Sequence, residues 1–101
     1  MEQATLQPVD SADVTVLVET FVDILLAGSD VARRAPLTYD WSERDQLRAE
    51  HGYALLVTIQ QGDRRQSVLY DAGLGRDTAM HNMDVLEIRP ADLRAIVLSH
   101  G

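Results

Sequence analysis

The segment Tyr53-Ala54-Leu55-Leu56-Val57-Thr58-Ile59 is apolar at odd and even positions alike. A strand with one wet face alternates apolar and polar residues, so a strand apolar on both parities asks for cover on both sides. No other feature limits the fold as much, because it requires a sheet with material packed on each face. Ala95-Ile96-Val97-Leu98 has the same character. With 101 residues, 46% of them apolar and 25% charged, the chain has globular chemistry and length for one small domain at most.

The remaining elements follow from local pattern. Residues 1–13 form a polar lead-in broken by Pro8. The β-branched run Asp13-Val14-Thr15-Val16-Leu17-Val18 predicts a first strand. Phe21, Ile24 and Leu25 have helical spacing over too short a stretch, and Gly28 stops it. Residues 29–50, with Pro36 and the isolated aromatics Tyr39 and Trp41, read as irregular. Gln61-Gly62-Asp63 marks a turn, after which Ser67-Val68-Leu69-Tyr70 pairs with the preceding strand as an antiparallel hairpin. Asp71-Ala72-Gly73-Leu74-Gly75 ends that strand in a loop. Thr78 can cap a helix that puts Met80, Met83 and Leu86 on its packed face, with His81 turned to solvent. Pro90 suits the first turn of a short helix through Leu93. The order strand, loop, strand, strand, helix, strand defines a mixed α/β class. A buried-type strand followed at once by a terminus is an uncommon end for a domain, so the domain is expected to continue beyond Gly101.

Charge and composition exclude several functions. Sixteen acids face nine bases, all of them Arg, for a net charge of −7. Residues 1–30 carry six acids and no base. A nucleic-acid binder needs a basic face, so none is expected here, and anionic membranes are disfavoured equally. The absence of cysteine excludes disulfide scaffolds and Cys-based zinc fingers. There is no membrane-length apolar run and no basic, apolar leader at the amino end, which makes a cytoplasmic location the expectation.

Three spots can carry chemistry. Asp71 stands just past the carboxyl end of a buried strand, where open α/β folds put ligands, although Asp-x-Gly is also a common turn. His100, in Ser99-His100-Gly101, follows an apolar strand and suits metal binding or proton transfer; a structurally satisfied imidazole is the alternative. Glu50 and His51, in Glu50-His51-Gly52, are candidates for a pocket wall, against the plainer reading of a turn into the second strand. Gly73-x-Gly75 is not a dinucleotide fingerprint: Thr78 stands where its third glycine belongs, and no phosphate-loop Lys exists.

Taken in order, Val68-Leu69-Tyr70-Asp71-Ala72-Gly73, a helix, and Ala95-Ile96-Val97-Leu98-Ser99-His100-Gly101 resemble the N-terminal half of a metallo-β-lactamase-fold hydrolase. In that family a D-[TA]-G turn is followed by a strand delivering H-x-H-x-D-H. The likeness is closest to the branch named after the dihydropterin ribofuranosylaminobenzene phosphate synthase. Val14-Thr15-Val16-Leu17-Val18, Ala49-Glu50-His51-Gly52, Asp71-Ala72-Gly73, Asn82 and Val97-Leu98-Ser99-His100-Gly101 stand in that branch's order. Glu19-Thr20-Phe21 departs from it, since relatives often have an Asp-Asn pair there.

The resemblance implies that residues 14–101 are the first part of an α+β sandwich, αβ/βα, cut at the start of its metal-ligand run. It implies a metal-dependent hydrolase holding two divalent ions, zinc first among them, in which metal-bound hydroxide attacks an ester, amide, thioester or phosphoester of a small-molecule substrate. His100 would be a metal ligand, Asp71 an acid behind the ligands that orients them, and Ser99 structural. One ligand falls short of the three or four a zinc site needs. The 101-residue chain alone is therefore expected to be inactive and to bind zinc weakly, and its uncovered strand faces are expected to favour self-association. The competing reading is a complete, small acidic α/β binding module in which His100 and Asp71 are only structural.

Overall fold

A computed structural model describes residues 3–23, 25–35 and 45–100. They build a small α+β fold around one four-stranded mixed sheet, β1 Ser11–Val18, β2 Ala54–Gln61, β3 Arg64–Tyr70 and β4 Leu93–Val97, in spatial order β1-β2-β3-β4. The first three strands form an antiparallel meander, and β4 joins β3 in parallel. Parallel neighbours require a crossover. Here it is α1, Thr78–Val85, followed by a single 3₁₀ turn at Pro90–Asp92. These are the only helical elements among the described residues.

The hairpin between β2 and β3 pairs Gln61 with Arg64, which leaves a two-residue turn. Gly62 opens that turn at φ 57°, a left-handed conformation that glycine adopts without steric cost. Its N–H donates to Asp10 Oδ2 at 2.7 Å, tying the approach to β1 onto the turn. Strand register sorts the sheet into two faces. Thr15, Val18, Ala54, Leu56, Thr58, Ser67, Leu69 and Leu93 share the face that α1 covers; Val14, Val16, Leu55, Val57, Val68, Tyr70, Ala95 and Val97 share the other. A bulge at Leu17 breaks the alternation in β1. It places Leu17 and Val18 in the core together, since two residues there oppose one on the partner strand.

The core is Leu17, Val18, Ala54, Leu56, Leu69, Ala79 and Met83, with Leu86, Ile88 and Leu93 packed against it. The helix packs partly as expected, with Met83 and Leu86 inward, but Met80 is left outside. Met83 is 1% exposed, whereas Met80 is 54% exposed, and the residues that go in are Thr78, Ala79, Asn82 and Met83. Thr78 is the first buried helical residue, not the cap; Asp77 holds the cap position and makes no side-chain capping bond. The strands also start earlier than the sequence pattern suggests, at Ser11, Arg64 and Leu93. Cross-strand pairing recruits polar residues that show no β pattern alone. Described residues within 19–35 and 45–50 form no helix or strand. The expectations placed on Ile24, Pro36, Tyr39, Trp41 and Gly101 lie outside the described residues. No helix among the described residues is long and apolar enough to cross a membrane.

Candidate functional site

The carboxyl ends of β3 and β4 lie side by side because the two strands are parallel. The chain leaves β3 at Asp71, whose φ of 57° turns it sharply away from the strand direction. Its N–H still donates to the Val97 carbonyl at 2.8 Å, so the ladder runs one residue beyond β3. The Asp71 side chain then reaches across: Oδ1 accepts from the Ser99 N–H at 2.8 Å. Asp71 is thus a bracket between the two strand ends. The Ser99 backbone N–H, the Ser99 hydroxyl and the neighbouring His100 all favour the carboxylate, and hold its pKa below the ordinary aspartate value.

His100 follows directly and is exposed. Its Nδ1 lies 2.8 Å from Ser99 Oγ, which leaves Nε2 as the ring atom turned to other partners. A ring nitrogen oriented through its neighbour is the arrangement that metal-binding histidines use. Among the described residues, however, no group of three or more His, Asp or Glu side chains is gathered closely enough to hold a cation. The chain brings one imidazole and one acid to the same strand ends, joined through Ser99.

Glu50 lies on the far side of the loop that begins at Asp71. One of its carboxylate oxygens, Oε1, accepts the N–H groups of Leu74 and Gly75, each at 3.0 Å. The Gly75 N–H, the Thr78 hydroxyl and the Leu74 N–H together lower its pKa from the ordinary glutamate value, more than its partial desolvation raises it. Gly73 and Gly75 are what let the carboxylate approach. A Cβ at either would collide with a Glu50 oxygen, and Gly73 is held at φ 75° while its N–H donates to the Tyr53 carbonyl at 2.8 Å. The two glycines noticed in the sequence therefore serve a carboxylate of the chain itself.

His51 is exposed beside Gly52 and takes no part in this loop contact. A groove of about 300 Å³ lies elsewhere, under the opposite end of the sheet, between Leu56, Thr58, Ser67, Ile88 and Leu93. None of Glu50, His51, Asp71 or His100 lines it.

Two residues carry more structure than their sequence context shows. Asn82, 1% exposed, donates from Nδ2 to the Leu17 carbonyl at 2.6 Å and the Arg48 carbonyl at 2.9 Å, and accepts the Arg48 N–H on Oδ1 at 2.9 Å. An Asn on the apolar face of a helix, where it is a poor helix former, was the available signal. His81 is half-buried, with Nε2 2.7 Å from the Gln46 carbonyl, and is not the solvent-facing side chain expected. Nothing in the spacing marks that contact, because residues 45–50 have no regular pattern.

No family model matches this chain, and it matches neither a curated protein nor a solved structure.

Proposed function

We propose that this chain is the leading part of a metal-dependent hydrolase of the metallo-β-lactamase fold, with His100 as the first ligand of a pair of divalent cations. The observation that carries the reading is the bracket at the strand ends. A parallel β4 delivers Ser99 and His100 beside Asp71, and the Asp71 carboxylate fixes the backbone from which the imidazole projects. The order of the sequence motifs along these elements supports the reading: Ala49-Glu50-His51-Gly52 before β2, Asp71-Ala72-Gly73 after β3, Asn82 in α1 and Ser99-His100 after β4. Bound cations would supply Lewis acidity and a water acidified to a pKa of about 7. Asp71 holds the ligand segment, and Ser99 Oγ holds the ring.

In this reading the α+β sheet is one half of a sandwich, and the remaining ligands follow Gly101 in the native gene. The test is to express the gene product beyond residue 101 and measure bound zinc, iron and manganese by elemental analysis. Metal retained by the parent and lost in His100→Ala supports the proposal. A native gene with no His or acid soon after Gly101, or a parent that holds no metal, overturns it. The 101-residue chain by itself is expected to bind zinc weakly and to show no hydrolase activity. A tight stoichiometric zinc site in titration calorimetry would contradict this, since about three or four ligands are needed.

A further inference from the structure

Glu50 and His100 are far apart in sequence, and no direct contact joins their side chains. Short polar contacts at both ends of the 71–75 backbone nevertheless connect them through the chain itself. Glu50 Oε1 takes the Leu74 and Gly75 N–H groups, each at 3.0 Å. At the near end of that loop the Gly73 N–H is tied to the Tyr53 carbonyl and the Asp71 N–H to the Val97 carbonyl, both at 2.8 Å. Asp71 Oδ1 then holds the Ser99 N–H at 2.8 Å, and Ser99 Oγ meets His100 Nδ1 at 2.8 Å. Glu50 is itself anchored, since its N–H donates to the Glu19 carbonyl just past β1.

Two residues on this path, Asp71 and Gly73, have positive φ. A non-glycine residue in that region costs energy and persists only where the surroundings fix it. The strained turn at Asp71 is thus held from both ends, by the strand ladder on one side and by the loop that Glu50 grips on the other. The space left by Gly73 and Gly75 is filled by the Glu50 carboxylate, so the grip is built into the backbone.

We propose that Glu50 is a positioning residue for His100, acting through the backbone of residues 71–75 and the Asp71 bracket. The purpose of that positioning rests on the reading of His100 as a metal ligand; the coupling itself does not. Its function is to fix the direction in which the imidazole leaves β4, before any metal arrives. A carboxylate is needed because a single oxygen must accept two backbone N–H groups, and an ionised acceptor does this more strongly than an amide.

The experiment is NMR on the isotope-labelled 101-residue chain without metal, comparing the parent sequence with Glu50→Gln and Gly75→Ala. The second variant keeps Glu50 and displaces its carboxylate with a Cβ, so it tests the grip should the first fail to fold. Met83→Ala is the control for a general loss of stability. In both loop variants the Leu74 and Gly75 amides are expected to exchange at least about tenfold faster. The Ser99 amide and the His100 ring nitrogens are expected to shift with them, while Val57 in the sheet does not. Met83→Ala should leave the Ser99 and His100 signals in place. Faster exchange at Leu74 and Gly75 with unmoved Ser99 and His100 signals overturns the proposal, as does an equal shift in Met83→Ala. Metal loading is not a readout here. A parent without metal removes the ligand assignment and leaves the coupling standing, whereas unmoved His100 signals in a metal-loading protein remove the Glu50 role alone.

Discussion

Asn82 shows how one side chain can do the work of an absent element. Residues 45–50 have no helix or strand to satisfy their backbone, and the Asn82 amide supplies both a donor and an acceptor to Arg48 while also capping the Leu17 carbonyl. Asn82→Ala leaves the buried Leu17 carbonyl and the part-buried Arg48 backbone without this partner, and is expected to lower stability by about 1–3 kcal/mol, read as a drop in the urea midpoint. Asn82→Asp should cost more, because a carboxylate faces two carbonyls. Glu50 gives a pH dependence of definite sign. Its carboxyl pKa is lower in the folded chain than in the unfolded one. The contribution is therefore complete above the ordinary glutamate value and is lost as pH falls through the lowered one. Acid titration followed at the Leu74 and Gly75 amides should show those two loosening together, and Glu50→Gln should remove that dependence. Asp71 and His100 were legible as candidates because each follows an apolar strand. The partner of Glu50 was not, since no local pattern tells a carboxylate which backbone it will meet.

At the level of elements, the strands were more legible than the helix. Apolar runs locate β2 and β4, and the Gly62 turn sets the hairpin, because both signals are local. The eight-residue α1 offers too few apolar positions to fix its rotation from periodicity, so Met80, Met83 and Leu86 looked like one face. The sheet beneath decides Met80: Ala79 and Met83 join Leu17, Val18 and Leu69 in the core, and Met80 is left at the surface. Met83→Ala is accordingly expected to cost about 2–5 kcal/mol, and Met80→Ala no more than about 0.5 kcal/mol. Equal effects in side-by-side denaturant unfolding would show that the helix packs by a different face.

For the molecule as a whole, the sheet face away from α1 is the dominant fact. Val14 is 60% exposed and Val97 45%, with Val16 and Tyr70 also at the surface, while Leu55, Val57 and Val68 are only half-covered between them. Apolar residues on four adjacent strands form a continuous patch of the kind that draws proteins together. For the 101-residue chain, self-association through this face is the expected outcome. Sedimentation velocity is expected to show association that grows with concentration and falls in Val14→Asp and Val97→Asp. A monomer at all concentrations, with cooperative unfolding at neutral pH, would contradict this.

The sequence alone determined roughly where the strands run and that an acid and an imidazole stand just past strand ends. These are properties of neighbours along the chain: side-chain alternation, turn chemistry and charge. The cover that the sequence led us to expect on both faces of β4 is not there among the described residues, since Ile96 is 60% and Val97 45% exposed. Tertiary structure decided which helix face goes inward, how Leu17 and Val18 both enter the core, and that Asp71 meets Ser99 while Glu50 meets Leu74 and Gly75. Those contacts join residues distant in sequence. Their geometry exists only once β3 and β4 lie parallel, with α1 crossing over between them.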